Sequence, residues 1–409
     1  MKKKKVFLLI ISIYFVLVFL TLSNNNTKFN RNILELENLN GNYQSSGNDL
    51  IMSHNSFSKK SPDSFEEKSA VEENNNKLNA ERLTADRHDD FAYEVNIFEL
   101  KKNRDRKIKV SLAGDFTIGS DEEYGYNNSF VHEVDRQNND YNYFIKNFKP
   151  IFERDDLSLV NLETTLTTAT KKAEKKFRFK GDPDYVNILK LADVEAVNIA
   201  NNHTYDYLQQ GFTDTIQTLK DNDIGFFGYD YKYLTIIKGI RIGVLGYEGW
   251  GFSEELKTRL KKDLESLKKD SDLIIVSYHW GIQNSYYPEN SQIKLAHFTI
   301  DNGADLVFGH HPHVIQGIEK YKDKYIVYSL GNFLYGGHRN PADKDTFIFQ
   351  QTFHFGGKNK LKSINDIKII PFSISSVSFR NDFSPTPLEG EDKERFLKRI
   401  ETYSSVFDK

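Results

Sequence analysis

Residues able to bind a metal or move a proton recur in this 409-residue chain at the ends of short apolar runs. Asp115 follows "SLAG", Glu163 closes "SLVNLE", and Asn201, Asn202 and His203 follow "AVNIA". His279 ends "IIVSY"; His310, His311 and His313 fall within "VFGHHPHVIQG"; Asn332 follows "IVYSLG". One polar residue at a strand end is ordinary loop chemistry. Several that can share a rim form a site, because ligands of open α/β sheets collect beyond the carboxyl ends of the strands. Carboxylates, imidazoles and amide oxygens without any thiolate suit one or two divalent ions of the Mn, Fe or Zn kind. In a two-metal site a bridging carboxylate such as Asp115 holds the ions about 3.5–4 Å apart, and bound water acidifies to a pKa of about 7. A histidine that is not a ligand can protonate the leaving group. The alternative for "GHHPH" is a turn shaped by Pro312, with its histidines bonded to nearby carbonyls.

The elements that must carry these residues alternate in type. "IKVSLAG", "LSLVNLE", "EAVNIAN", "RIGVLGY", "DLIIVSYHWG", "ADLVFGH" and "KYIVYSLGN" read as strands. Between several of them lie the helical patterns "DPDYVNILKLA", "GFTDTIQTLKDN", "SEELKTRLKKDLESLKK" and "SQIKLAHFTIDNG". Such alternation predicts a largely parallel sheet covered by helices. "DTFIFQQTFHF" and "INDIKIIPFSISSVSF" near the C-terminus read as antiparallel strands completing a sheet. Asp182 and Pro183 mark a helix start, as N-cap and first helical residue. Trp280, beside His279, is either a core or rim aromatic or a platform for substrate. Gln292, His297 and Glu319 are expected to support the site. His54, His88, His132, His338 and His354 lie outside the strand-end pattern and are expected on the surface.

Composition narrows the class. Fifty-five basic against 58 acidic residues leave a net charge of −3, so no nucleic-acid footprint is implied. With no cysteine there is no disulfide framework, no thiolate ligand and no acceptor for a lipoprotein lipid. "MKKKK" precedes the uncharged run "VFLLIISIYFVLVFLTL". That run is expected to be one transmembrane helix within residues 1–22, N-terminus cytoplasmic and the bulk outside, the alternative being a cleaved signal peptide. Residues 23–105, rich in Asn, Ser and mixed charge, read as a flexible extracytoplasmic spacer, with a possible short strand at Phe91–Leu100. The working domain is expected at 106–409.

Taken together, "AGDFTIG", "NLETTLT", "FKGDPDYVNILKLADVEAVNIANNHTYDY", "SYHWGIQNSYYPENSQIKLAHFTIDNGADLVFGHHPHVIQGIEKY" and "IVYSLGNFLYG" resemble the CapA family of capsule-synthesis proteins, over roughly Lys109 to Gly336. The resemblance implies a metallophosphatase-like αββα sandwich of two mixed sheets. It implies Asp115, Glu163, Asn202, His279, His310, His311 and His313 as metal ligands, with His203 and Asp115 catalytic. Asn201, Trp280 and Asn332 would then face substrate. Two departures stand out. Phe116 and Thr117 follow Asp115 where the phosphatase pattern has Asp-x-His, and Glu163 takes the place of its second aspartate. "GHHPH" also exceeds Gly-His-x-His by one residue, so the closing pair is His310 with His313 or His311 with His313. The implied role is synthesis or export of an anionic poly-γ-glutamate-type polymer, as a metal-dependent hydrolase or transferase in the cell membrane. The alternative is a polymer-binding module without turnover. No ATP-binding glycine loop is visible, so a separate ATP-dependent ligase is the expected partner in a membrane complex.

Overall fold

A computed structural model describes residues 105–408. The expected anchor, nearly all of the expected spacer and the Phe91–Leu100 tract lie outside the described residues. Among the described residues no helix is long and apolar enough to cross a membrane. The strands are β1 (Arg106–Thr117), β2 (Leu157–Leu162), β3 (Thr165–Leu166), β4 (Lys180–Gly181), β5 (Ala196–Asn198), β6 (Gly225–Phe227), β7 (Tyr233–Ile237) and β8 (Ile240–Gly249). They continue with β9 (Leu273–Trp280), β10 (Leu306–His310), β11 (Ile318–Tyr321), β12 (Lys324–Val327), β13 (Asn332–Tyr335), β14 (Asp345–Phe355), β15 (Leu361–Ser373) and β16 (Thr386–Pro387). The helices are α1 (Phe130–Arg136), α2 (Asn142–Ile145), α3 (Lys149–Phe152), α4 (Val186–Leu191), α5 (Leu208–Asp221), α6 (Glu254–Asp270), α7 (Asn290–Asp301) and α8 (Gly390–Ser404).

Two mixed sheets result. The first runs β16-β15-β14-β1-β2-β5-β6, with β13 also paired to the end of β1; the second runs β11-β12-β10-β9-β8-β7. Side-chain alternation shows how they stack. Along β2, Leu157 and Leu159 enter one core with Ile242, Val244, Ile275 and Phe308 of the second sheet. Val160 and Leu162 enter another with Val186, Ile188 and Leu189 of α4 and Ile216 and Leu219 of α5. Along β9, Leu273 and Ile275 face the first sheet, whereas Ile274, Val276, Tyr278 and Trp280 meet Leu260 and Leu264 of α6 and Leu295 and Ile300 of α7. Helices, sheet, sheet and helices therefore lie in four layers, with β2, β9 and β10 burying both faces. At roughly 1.5–3 kcal/mol per fully buried large apolar side chain, this two-sided burial fixes the parity of every strand-end residue.

Local signals fit these elements. Asp182 accepts from the Asp184 amide and Pro183 opens the short 3-10 turn that leads into α4. Ser253 caps α6, with Glu254 and Glu255 in its first turn and Lys268 and Lys269 in its last. Glu289 and Gln292 form a reciprocal capping box on α7, so Gln292 is structural. His297 pairs with Glu319 at 2.8 Å, away from the strand-end rim. β14 and β15 form the expected antiparallel pair. One element differs from the sequence reading. "KYIVYSLGN" is not a single strand: β12 ends at Val327 in the second sheet, and Asn332 opens β13 in the first, parallel to β1. Gly331, at φ +72°, makes the turn between them.

Candidate metal centre

The carboxyl ends of β1, β2, β5, β9 and β10 meet at one rim. Asp115 arrives there by a close backbone approach: a Cβ on Gly114 would lie 2.0 Å from the Gly331 carbonyl oxygen. Glycine at 114 lets the Asp115 amide donate to that oxygen at 3.0 Å. Oδ1 of Asp115 accepts from Asn161 Nδ2 at 2.9 Å and lies 3.2 Å from His310 Nδ1. Oδ2 has no hydrogen-bond partner and lies 3.3 Å from His313 Nδ1. Burial pushes this carboxyl up, but the imidazoles of His310 and His313 outweigh it and hold the group well below the usual carboxylate range.

Glu163 follows β2 and is fully buried. Its Oε2 accepts from Thr117 Oγ1 at 3.3 Å. Thr117, standing where the phosphatase pattern has a histidine, thus anchors the neighbouring carboxylate. Oε1 has no hydrogen-bond partner, yet His279 Nε2, His313 Nε2 and His203 Nε2 converge on it at 3.6, 3.8 and 3.9 Å. Burial first, then the charge of Asp115, raises Glu163 well above its ordinary value.

The "HHPH" turn carries strain that serves the site. His311 and His313 both adopt positive φ, +94° and +58°, a conformation costing non-glycine residues about 1–3 kcal/mol each. Nitrogens of His311 and His313 and an oxygen of Glu163 then all lie within 4.8 Å of one another. His311 and His313 enter this cluster with Glu163, while His310, the last residue of β10, is fully buried against the Phe308 ring, its Nδ1 3.2 Å from Asp115 Oδ1 and both ring nitrogens without a hydrogen-bond partner among the described residues. A Cβ on the preceding Gly309 would meet the Tyr328 carbonyl oxygen at 2.2 Å, so that approach too requires glycine.

His279 Nε2 lies 2.7 Å from Asn202 Oδ1 and 3.1 Å from His311 Nδ1. Burial and then the neighbouring His311 hold His279 well below its ordinary value. Burial lowers His311 to about 3. His313 goes the other way: burial opposes its charge, but Glu163 and Asp115 raise it to about 9. His203 is fixed by Asp206, whose Oδ2 lies 2.7 Å from Nδ1, and by the Phe179 ring stacked at 4.1 Å. Asp206 also accepts from Phe179 N and from Lys175 Nζ. Burial lowers His203 below its ordinary value.

The donor set fits a divalent ion. Two buried carboxylate oxygens without donors face imidazole nitrogens at 3.3–3.9 Å. Ligand atoms around a shared ion with bonds of about 2.0–2.2 Å sit roughly 3.4 Å apart in tetrahedral geometry. Direct hydrogen bonds would be shorter.

Of the three residues expected to face substrate, Trp280 and Asn201 are held in structural contacts and Asn332 lines a cleft. Trp280 is fully buried; its Nε1 donates to the Tyr328 carbonyl at 2.8 Å and its ring stacks on Tyr278. Parity decides this, because residue 280 points to the opposite face from His279. Asn201 braces the turn, donating to Leu162 O at 2.9 Å and accepting from His203 N at 3.0 Å. Asn332 orients His313 through Oδ1 to Nδ1 at 2.9 Å and Nδ2 to the carbonyl oxygen at 3.0 Å. It also lines a cleft of about 550 Å³ with His203, His313, Phe177, Phe179 and Tyr335.

Other functional residues escaped the sequence reading. Asn161 joins Asp115, His279, Asn198 and Asn201. Its signal is parity, since it lies two residues before Glu163 on the same face. Asp206 is three residues after His203, one turn of chain away. Trp250 packs nearly perpendicular to His311 at 4.7 Å and to His279 at 5.7 Å.

Two stacked mixed sheets with carboxylates, imidazoles and amides gathered at their strand ends are the layout of a metallophosphatase-like domain. Residues 109–336 match the family model described as "Bacterial capsule synthesis protein PGA_cap", more than half of the chain, and the chain belongs to that family. Among similar proteins, the capsule biosynthesis protein CapA of Bacillus anthracis is 27% identical over 330 residues, covering 74% of each chain. The PGA biosynthesis protein CapA of Bacillus subtilis (strain 168) is 30% identical over 259 residues, 58% of this chain and 66% of that one. A probable polyglutamine synthesis accessory protein of Mycobacterium tuberculosis (strain ATCC 25618 / H37Rv) is 28% identical over 221 residues, 45% of this chain and 58% of that one.

Proposed function

We propose that this chain is a metal-dependent hydrolase or transferase of capsule synthesis that acts on an anionic poly-γ-glutamate-type polymer. The observation that carries the reading is the convergence of imidazole nitrogens on two buried carboxylate oxygens that have no other donor. Asp115, Glu163, Asn202, His279, His310, His311 and His313 would hold one or two Mn, Fe or Zn ions. A bound ion would supply Lewis-acid polarisation and a more acidic water. The chain's own groups do the rest. Asp206 accepts the Nδ1 proton of His203 and fixes its tautomer, leaving Nε2 turned to Glu163 to take up and return a proton at the reacting centre. Phe177, Phe179 and Tyr335 wall the cleft on that side. The names of the relatives support the polymer class. The charged N-terminal tetralysine and apolar run support a membrane-anchored, outward-facing domain, working beside a separate ATP-dependent ligase.

A polymer-binding module without turnover is the second reading, favoured by Thr117 in place of the pattern's histidine. The test is elemental analysis of the full chain beside an Asp115→Ala/His279→Ala variant, followed by γ-glutamyl and phosphoester turnover assays. The enzyme reading expects bound metal in the parent only, and turnover lost in His203→Ala with metal retained. Metal without turnover on either substrate class leaves the binding module; a parent that takes up no metal on reconstitution ends the hydrolase reading.

A further inference from the structure

The parity that buries Trp280 brings a different pair of residues to the rim. On β8, Val244 faces the inter-sheet core, while Leu245 and Tyr247 face the outer helices. Glu248 therefore points to the same side as His279, its register partner on β9. Trp250, two residues on, packs against the His279 ring at 5.7 Å, and the Trp250 indole and Tyr229 hydroxyl both favour the charged form of the Glu248 carboxyl. The Tyr229 hydroxyl also lies 3.2 Å from the Asn201 carbonyl oxygen, which ties this corner to the candidate metal centre. Tyr205 meets the Tyr229 ring at 5.8 Å. Trp250 and Tyr205 are 50% and 42% exposed, high values for large aromatics beside a buried polar cluster. The cation acting on Glu248 is Lys175, but its ammonium is already engaged by Asp206 Oδ1 at 2.5 Å and Asn202 O at 2.6 Å.

We propose that Glu248, Tyr229, Tyr205 and Trp250 form a subsite for a primary ammonium group beside the candidate metal centre. A part-buried carboxylate with no committed cation among the described residues, set beside half-exposed aromatic rings, is the constellation that recognises such a group. The carboxylate supplies charge and hydrogen bonding, and the ring faces supply cation–π attraction. An anionic group at the same place would meet the Glu248 charge and be turned away. Burial holds the Glu248 carboxyl above its ordinary value, as expected while that charge is only partly compensated. On the hydrolase reading, which this assignment deepens, the ammonium is the free amino end of a γ-glutamyl chain. The centre would then work at chain ends rather than at internal bonds.

The protein carries its own reporter. It has two tryptophans, and Trp280→Phe leaves Trp250 as the sole emitter. The probes are γ-glutamylglutamate with a free amine and the same dipeptide N-acetylated, titrated by Trp250 fluorescence in that variant and by calorimetry in the unaltered full chain. The free amine is expected to bind at least tenfold tighter than the acetylated form. Glu248→Gln is expected to abolish that preference while metal content, measured by elemental analysis, stays at the parent level. Equal binding of the two probes, or a preference that survives Glu248→Gln, overturns the subsite. Because metal content is read separately, failure of the subsite and failure of the metal reading give different results.

Discussion

Metal uptake at this centre is expected to be a proton-exchange reaction, with a size that follows from His313. That imidazole lies between Asp115 and Glu163, which hold it at about 9, so at neutral pH it carries a proton that a ligand lone pair cannot keep. His279 and His311 are held below their ordinary value and are already neutral, so they add no pH dependence above about 7. Each pH unit below about 9 should therefore cost a factor of ten in apparent affinity, about 1.4 kcal/mol. Between pH 8.5 and 6.5 the loss is about a hundredfold. The metal-free chain shows the other side of the linkage. A histidine raised from 6.5 to about 9 stabilises the fold fully below pH 6.5, and that contribution disappears as pH rises through about 9. The assay is competition between the full chain and a chelator of known pH-dependent affinity at pH 6.5, 7.5 and 8.5, with proton release followed in weak buffer. A flat affinity with no proton released would show that His313 is neither charged in the metal-free protein nor a ligand.

Two substitutions probe other parts of the argument. Asp206→Asn removes the anionic acceptor of His203 Nδ1 and the counter-charge of Lys175. Metal content should be unchanged while turnover falls by about 10²–10⁴-fold; a metal-loaded variant with parent-level turnover would remove the His203–Asp206 pair from the mechanism. Glu195 accepts from the Ser158 amide at 2.5 Å, and burial raises its carboxyl to about 7. Its folded value exceeds its unfolded one, so the native state holds the extra proton and stability falls as pH climbs from about 4.5 to about 7. Glu195→Gln keeps an acceptor without the charge. It should gain up to about 3 kcal/mol over the parent at pH 8 and nothing below pH 4.5, read by urea unfolding. A gain independent of pH would rule out buried charge as its cause.

Much of the candidate site is legible in the sequence, because strand ends in an α/β pattern announce themselves. A β-branched run that stops at a polar residue marks both the strand and the atom placed at its tip, and this located Asp115, Glu163, His279 and the "HHPH" turn. The helix starts at Asp182 and Ser253 are equally local, written in capping chemistry. What no local pattern carries is parity and partnership. His279 and Trp280 are adjacent, and only the two-sided burial of β9 decides that one faces the carboxylate–imidazole cluster and the other the helices. Asn201 and Asn332 sit at the rim by sequence, but their partners come from β2 and from the turn after β10, so their roles as braces emerge only when the sheets stack. The gathering of His311 and His313 with Glu163 depends on positive φ at two positions, imposed by the surrounding packing. Sequence determined which atoms were available at the strand ends; the stacking of two sheets decided which of them meet, because a side chain's direction is set by burial on both faces of its strand.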